Sequence, residues 1–301
     1  WHQSGDYPYQ MIMGGDGMQV QIDARDVNVV YTGYQFGNYY RLNLATNSQT
    51  YIQPKHKLGE TPNRYNWQTP VLLSAHNQDI LYYGSNKFHR SLKRGDNIET
   101  LSTDLTTNPT QGDVPFGSLT TISESPLKFG LLYAGSDDGN IQFSKDGGYS
   151  WTNISSNLGK SHKGLYVSRV VASAYKEGRV YATLNGYRND HFNAYVFVSE
   201  NYGSNWKQIC TDLPKEPVNV IREDNKQDSI IYIGTDGGLY VPQSWPKQPT
   251  MTGSTYASKA ASLMAPYVEG EIPQDVFVQL CVTAYSTFRD PAVVPLVQIA
   301  P

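Results

Sequence analysis

A mainly β chain, an incomplete β-propeller of four to five small sheets followed by a short α-helical C-terminal segment, is predicted by three observations. The first is composition: 23 Tyr, 26 Gly and 17 Pro in 301 residues favour short strands joined by tight turns over helices. The second is a period. An apolar strand ending in Tyr, usually with Gly close behind, recurs at Tyr31, Tyr82, Tyr133, Tyr181 and Tyr232, in steps of 51, 51, 48 and 51 residues. The third is a hairpin motif repeated in phase with those tyrosines. Repeats of about 50 residues built from short strands are the mark of propeller blades, each a small antiparallel sheet that buries its faces only against its neighbours.

A second strand precedes each tyrosine strand: residues 18–22, 70–73, 119–122, 167–171 and 218–221. A third follows several of them, as in Ile141-Gln142-Phe143 and Tyr195-Val196-Phe197-Val198. Blades are therefore expected over residues 1–241, with the regular pattern running from about residue 10.

The third repeat carries the sharpest motif, Ser144-Lys145-Asp146-Gly147-Gly148-Tyr149-Ser150-Trp151, which fits S-x-D-x-G-x-[ST]-W at every fixed position. This is an Asp-box. Its chemistry is that of a self-satisfied hairpin: the Asp146 carboxylate accepts turn N–H bonds, Gly148 supplies a positive φ, and Trp151 packs under the loop. The fourth repeat has a near copy in which Ser199, Asn201, Gly203 and Trp206 take the same places, and the amide oxygen of Asn201 accepts in place of the acid. The second repeat keeps Ser91 and Gly95 but loses acid and indole. All eight motif residues are expected to shape turns, not to react.

On these residues the stretch from about residue 10 to residue 241 resembles the Asp-box, or BNR-repeat, propeller proteins of the sortilin-like and bacterial group. The stretches Arg64 to Pro70, Ser74 to Ser91 and Ser125 to Trp151 carry the similarity. It implies architecture and a polypeptide or glycan ligand on the blade rim. Asp-boxes sit on sialidases, xyloglucanases and receptors alike, so the resemblance leaves activity open.

Sialidase-type chemistry needs clustered arginines with a Tyr/Glu pair, and xyloglucanase-type chemistry needs two opposed carboxylates. Arg25, Arg41, Arg64, Arg90, Arg94, Arg169, Arg179, Arg188 and Arg222 share no common phase in the repeats. Asp16, Asp137, Asp138 and Asp236 fall in Gly-rich hairpins, where Asp is expected for turn geometry. His56, His76 and His89 have no metal spacing and read as polar surface or loop residues. Tyr34, Tyr39, Tyr40 and Trp67 are either a carbohydrate or peptide platform or blade packing. No catalytic, cofactor or metal residue is expected.

After Val241 the pattern stops. Pro242, Pro246 and Pro249 forbid a continuing strand ladder, and the character becomes helical. Tyr256, Ala260, Leu263, Met264 and Tyr267 repeat at helical spacing; Phe277, Leu280, Cys281, Ala284 and Phe288 do so again before Asp290-Pro291. This tail resembles the amino-terminal part of threonine synthase, a pyridoxal-phosphate lyase, through Asp236 to Pro246, Ala265 to Asp275 and Ala284 to Gln298. In that family the segment is a helical cap, and the Schiff-base lysine and phosphate loop come later. The resemblance therefore implies residues 242–301 without pyridoxal phosphate, and gives neither Lys247 nor Lys259 a cofactor role. The peptide Asp236 to Val241 suits both families. The chain reads as two fragments joined there, by gene fusion or by sequence assembly.

A net charge of -3 and 17% charged residues give no field for nucleic acid or an anionic membrane. No apolar run approaches the about 20 residues that span a bilayer, and no signal peptide precedes Trp1, although the chain lacks an initiating Met. Cys210 and Cys281 are expected as unpaired thiols. The expected function is a non-catalytic binding propeller joined to an inactive threonine synthase segment. The alternatives are a piece of a propeller glycoside hydrolase, and a threonine-biosynthesis protein lacking its catalytic body.

Overall fold

The computed structural model describes residues 11–242. Five antiparallel sheets follow one another along the chain, each built from consecutive strands in spatial order. The first contains β1 (Gln21–Ile22), β2 (Val29–Tyr34), β3 (Asn38–Asn43) and β4 (Ser48–Tyr51). The second contains β5 (Val71–Leu73), β6 (Leu81–Gly84), β7 (Phe88–Ser91) and β8 (Glu99–Thr100). The third contains β9 (Leu119–Glu124), β10 (Leu132–Ser136), β11 (Ile141–Ser144) and β12 (Thr152–Asn153). The fourth contains β13 (Tyr166–Ala172), β14 (Val180–Gly186), β15 (His191–Ser199) and β16 (Lys207–Ile209). The fifth has three strands, β17 (Val218–Glu223), β18 (Ile231–Thr235) and β19 (Leu239–Tyr240).

Side chains alternate across a strand, and here both faces of each inner sheet meet a neighbour. Tyr83 lies in a core with Met18 and with Tyr31 and Tyr39 of the first sheet. Its chain neighbour Tyr82 lies in a different core, with Leu119 and Leu132 of the third. The repeated tyrosine always points forward: Tyr31 packs on the second sheet, Tyr82 on the third, Tyr133 on the fourth and Tyr181 on the fifth. That constant role is why the 51-residue period is visible in the sequence. Tyr31, Tyr82, Tyr133 and Tyr181 are at most 1% exposed. Tyr232, with no following sheet among the described residues, is only partly buried and donates to Asp224 Oδ2 at 2.8 Å.

The sheets are also joined near their first strands by polar bonds. Tyr39 Oη donates to the Thr69 carbonyl at 3.0 Å, Thr120 Oγ1 to Val167 at 2.5 Å and Ser168 Oγ to Val218 at 2.6 Å. Each hydroxyl is buried and so finds its acceptor on the neighbouring sheet or the connection leading into it.

His89 corrects the sequence reading. It is a fully buried residue of β7, not a surface or loop histidine, and its ring lies 2.7 Å from Ser85 Oγ and 2.9 Å from Thr100 Oγ1. Burial pushes it down to about 3, so it is neutral in the fold. Cys210 is a free, buried thiol, raised by burial. The expected helices, Cys281, Lys247 and Lys259 lie outside the described residues.

Candidate functional site

Ser144 opens the β11–β12 hairpin. Its Oγ accepts the N–H of Gly148 at 2.9 Å and of Asp146 at 3.4 Å, and donates to Asp146 Oδ1 at 2.8 Å. The Asp146 carboxylate in turn accepts Ser150 N–H at 2.9 Å and Ser150 O–H at 2.6 Å. These bonds, the Ser150 hydroxyl first, hold Asp146 at about 2. Gly148 has φ 96 and an added Cβ would press on Leu101, which explains the glycine there. Trp151 Nε1 donates to the Gly148 carbonyl at 2.9 Å, while its ring packs 4.9 Å from Phe88 of the second sheet. The indole thus closes its loop and touches the neighbouring sheet.

Ser199 repeats this scheme. Its Oγ accepts Gly203 N–H at 2.8 Å and Asn201 N–H at 3.3 Å, and Asn201 Oδ1 accepts Asn205 N–H at 3.0 Å. Trp206 differs, since its Nε1 reaches the Ile154 carbonyl at 3.4 Å across the sheet boundary. Ser91 keeps the serine part, accepting the N–H groups of Lys93 and Gly95 at 3.0 Å each. Arg90 beside it donates to the Gly147 carbonyl at 3.2 Å and to Tyr149 Oη at 3.1 Å, tying the second sheet to the third hairpin. Every one of these contacts shapes backbone or joins sheets.

The acidic hairpin residues separate. Asp137 is buried and accepts Ser118 N–H and O–H, both at 2.8 Å, and Asn66 Nδ2 at 3.2 Å. Burial raises its carboxyl above the ordinary value, with Asp138 adding to the effect against the Ser118 bonds. Asp138 accepts Thr107 N–H and O–H at 2.6 Å each. The pair thereby pins connections between sheets as well as its own turn, a role the hairpin reading lacked. Asp236 accepts Asn219 Nδ2 at 2.7 Å, and Asp16 is exposed. His56 and His76 are exposed, His76 Nε2 lying 2.8 Å from the Ser125 carbonyl. Among the described residues no group of three His, Cys, Asp or Glu side chains is placed to hold a metal ion.

The aromatics divide too. Tyr39 is fully buried core. Tyr40 stands between Tyr34 and Tyr51, with ring centroids 6.3 and 5.1 Å away, and Tyr51 is 43% exposed. Trp67, 46% exposed, meets Phe36 edge-on at 5.2 Å. Sequence reasoning did not include Tyr51; its pairing with Tyr40 across β3 and β4 is the signal that finds it. Tyr51 borders a groove of about 340 Å³ between the first sheet and the Gly95–Ile98 turn of the second. This ladder and groove form the candidate ligand surface.

Comparison with known proteins agrees with this architecture. The Xanthomonas campestris GH74 xyloglucanase superposes with a TM-score of 0.55 at 15% identity, over 80% of this chain and 38% of that one. The Niastella koreensis GH74 enzyme gives 0.54 at 15% identity over 76% and 36%, and the Dos1 propeller 0.53 at 12% over 76% and 58%. The chain thus spans less than two thirds of each, and identities this low carry fold alone. No curated protein sequence matches the chain. A family model described as the threonine synthase N terminus matches residues 229–285, beginning inside the fifth sheet. The chain therefore combines a mainly β, propeller-type fold with a segment matching the threonine synthase N terminus.

Proposed function

We propose that the chain is a non-catalytic Asp-box propeller of the BNR, sortilin-like kind that binds a glycan or a polypeptide on its first sheet. The Tyr34–Tyr40–Tyr51 ladder carries this reading, because three neighbouring phenols, tilted against one another, the outer one exposed and the other two half-buried, offer apolar area beside a groove together with hydroxyl hydrogen bonds. The hairpin acids support the absence of catalysis: Asp137, Asp138 and Asp146 already spend their oxygens on turn and connection donors. The matched threonine synthase segment brings no pyridoxal-phosphate chemistry in this reading, since Lys247 and Lys259 have no glycine-rich phosphate loop beside them.

Xyloglucan oligosaccharides and a random-sequence peptide library are the probes. Binding to one of them, lost more than tenfold in Tyr40→Ala with an unchanged melting curve, is the expected result. Equal binding by the variant sinks the ladder reading. Release of reducing ends from xyloglucan would promote the glycoside hydrolase alternative, and pyridoxal phosphate retained through desalting would promote the lyase one.

A further inference from the structure

The nine arginines of residues 1–241 share no common phase, yet the fold places two of them on neighbouring first strands. Val171 of β13 pairs with Tyr181, and Arg222 of β17 pairs with Tyr232, so Arg222 occupies the repeat position of Val171. Arg169 stands two residues before Val171. A shift of two returns a side chain to the same face of a strand, so Arg169 and Arg222 emerge on equivalent faces of neighbouring first strands.

Each guanidinium makes the same single bond: Arg169 Nη1 donates to the Ser168 carbonyl at 3.0 Å, and Arg222 Nη1 to the Ile221 carbonyl at 2.9 Å. These bonds fold each head back on its own backbone and neutralise nothing. Arg25, Arg41, Arg64, Arg94 and Arg179 all have a carboxylate within ion-pair distance. Among the described residues Arg169 and Arg222 have none. Arg169 is only 8% exposed, and its Nε is buried without an acceptor. Burial, and then the Arg169 charge, push Arg222 down to about 10. Arg188, in the turn after β14, lies 4.7 Å over the ring of Tyr166, which stands three residues before Arg169 on β13. The carboxylate felt at Tyr166 is that of Asp137, already occupied by Ser118 and Asn66.

We propose that Arg169 and Arg222 form a binding site for a doubly charged oxyanion, a phosphate or a phosphate monoester. A buried Arg169 beside a partly buried Arg222, with no counter-ion for either among the described residues, is costly, and the unused Nε–H donor of Arg169 adds to that cost. A dianion cancels both charges, whereas a single carboxylate leaves one. Phosphoryl oxygens also match the paired donors of a guanidinium fork. The site lies on the fourth and fifth sheets, apart from the aromatic ladder, and stands whether or not that ladder binds anything.

The test is calorimetric titration of the full chain at fixed ionic strength with inorganic phosphate, phenyl phosphate and acetate. Both phosphates are expected to bind and acetate to fail; binding of phenyl phosphate alone would assign the source as a phosphorylated ligand and not the free ion. Phenyl phosphate affinity is expected to rise as pH passes about 6, where a monoester gains its second charge. Arg169→Gln and Arg222→Gln should each weaken binding at least tenfold, while Arg25→Gln, whose partner is Asp23, should not. If Arg169→Gln does not fold, Arg169→Lys, which keeps the charge and loses the fork, should weaken binding at least threefold. No phosphate binding by the full chain, equal binding of acetate, a flat pH profile, or undiminished binding in the arginine variants would each overturn the proposal.

Discussion

Ser173 donates a 2.6 Å hydrogen bond to the Glu223 carboxylate on the next sheet, and the same bond at 2.6 Å joins Ser74 to Glu124. In both places the carboxylate also accepts the following N–H, of Ala174 at 2.8 Å and of Ala75 at 3.2 Å. The serine then accepts N–H groups two and three residues on, which fixes the turn leaving the first strand. One glutamate thus organises a turn of the preceding sheet. Removing it leaves several donors without an acceptor, so Glu223→Ala should cost about 1–3 kcal/mol. Ser173→Ala should cost a similar amount and the double variant less than the sum, with a coupling of about 0.5–3 kcal/mol. Urea melts of the four proteins give the cycle; strict additivity would show that the clamp does not act as a unit.

Trp151→Ala should destabilise by roughly 3 kcal/mol, the lower end for a buried indole, because Trp151 is only partly buried. Two things are lost together: the bond that closes the β11–β12 hairpin and the contact with Phe88. Lys163→Ala, at an exposed position, is the control. Lys145 would be a poor one, since its ammonium sits 4.3 Å from the Tyr202 ring of the fourth sheet. Thermal melts in which Trp151→Ala and Lys163→Ala coincide would refute the structural account of the hairpin.

His89 gives a pH dependence with a defined sign. Its folded value, about 3, lies below the ordinary 6.5 of an unfolded histidine, so the unfolded chain binds the extra proton between those limits. The stability it protects is complete above about pH 6.5 and declines toward pH 3, at up to about 1.4 kcal/mol per pH unit. His89→Gln removes the titration while keeping polar atoms near Ser85 and Thr100. The wild type should lose stability relative to His89→Gln as pH falls from 6.5 to 4 in chemical melts. Parallel curves would mean that His89 takes up its proton as readily in the fold as in the unfolded chain.

What the sequence showed and what it hid have physical causes. The tyrosine period was legible because each tyrosine does the same thing, filling the gap to the next sheet. Ser144, Asp146, Gly148 and Trp151 were legible because their bonds are local and fixed by spacing. His89 was misread because the lack of metal spacing says nothing about burial, and every residue of β7 is buried between neighbouring sheets. Arg169 and Arg222 were hidden by their two-residue offset, which a search for equal positions in each repeat misses although strand geometry makes the positions equivalent. Asp137 read as a turn residue because its other partners, Ser118 and Asn66, are set by the packing of connections between sheets.

The junction between the two resemblances yields the last prediction. The threonine synthase match begins at residue 229, yet β18 and β19 complete the fifth sheet: Ile231 pairs with Glu223, Ile233 with Ile221, and Gly234 with Leu239. Ile231 and Ile233 are at most 1% exposed, in a core with Val196, Val218 and Ile221. Burying one such side chain is worth about 1.5–3 kcal/mol. Losing both, and uncovering the residues they touch, therefore removes a large part of the about 5–15 kcal/mol that holds a domain together. A chain ending after Asp228 should melt at much lower temperature than one ending after Pro242, and the amides of Val218 and Ile221 should lose their protection from hydrogen exchange. If the two truncations melt together, β18 and β19 contribute nothing to the stability of the sheets before them.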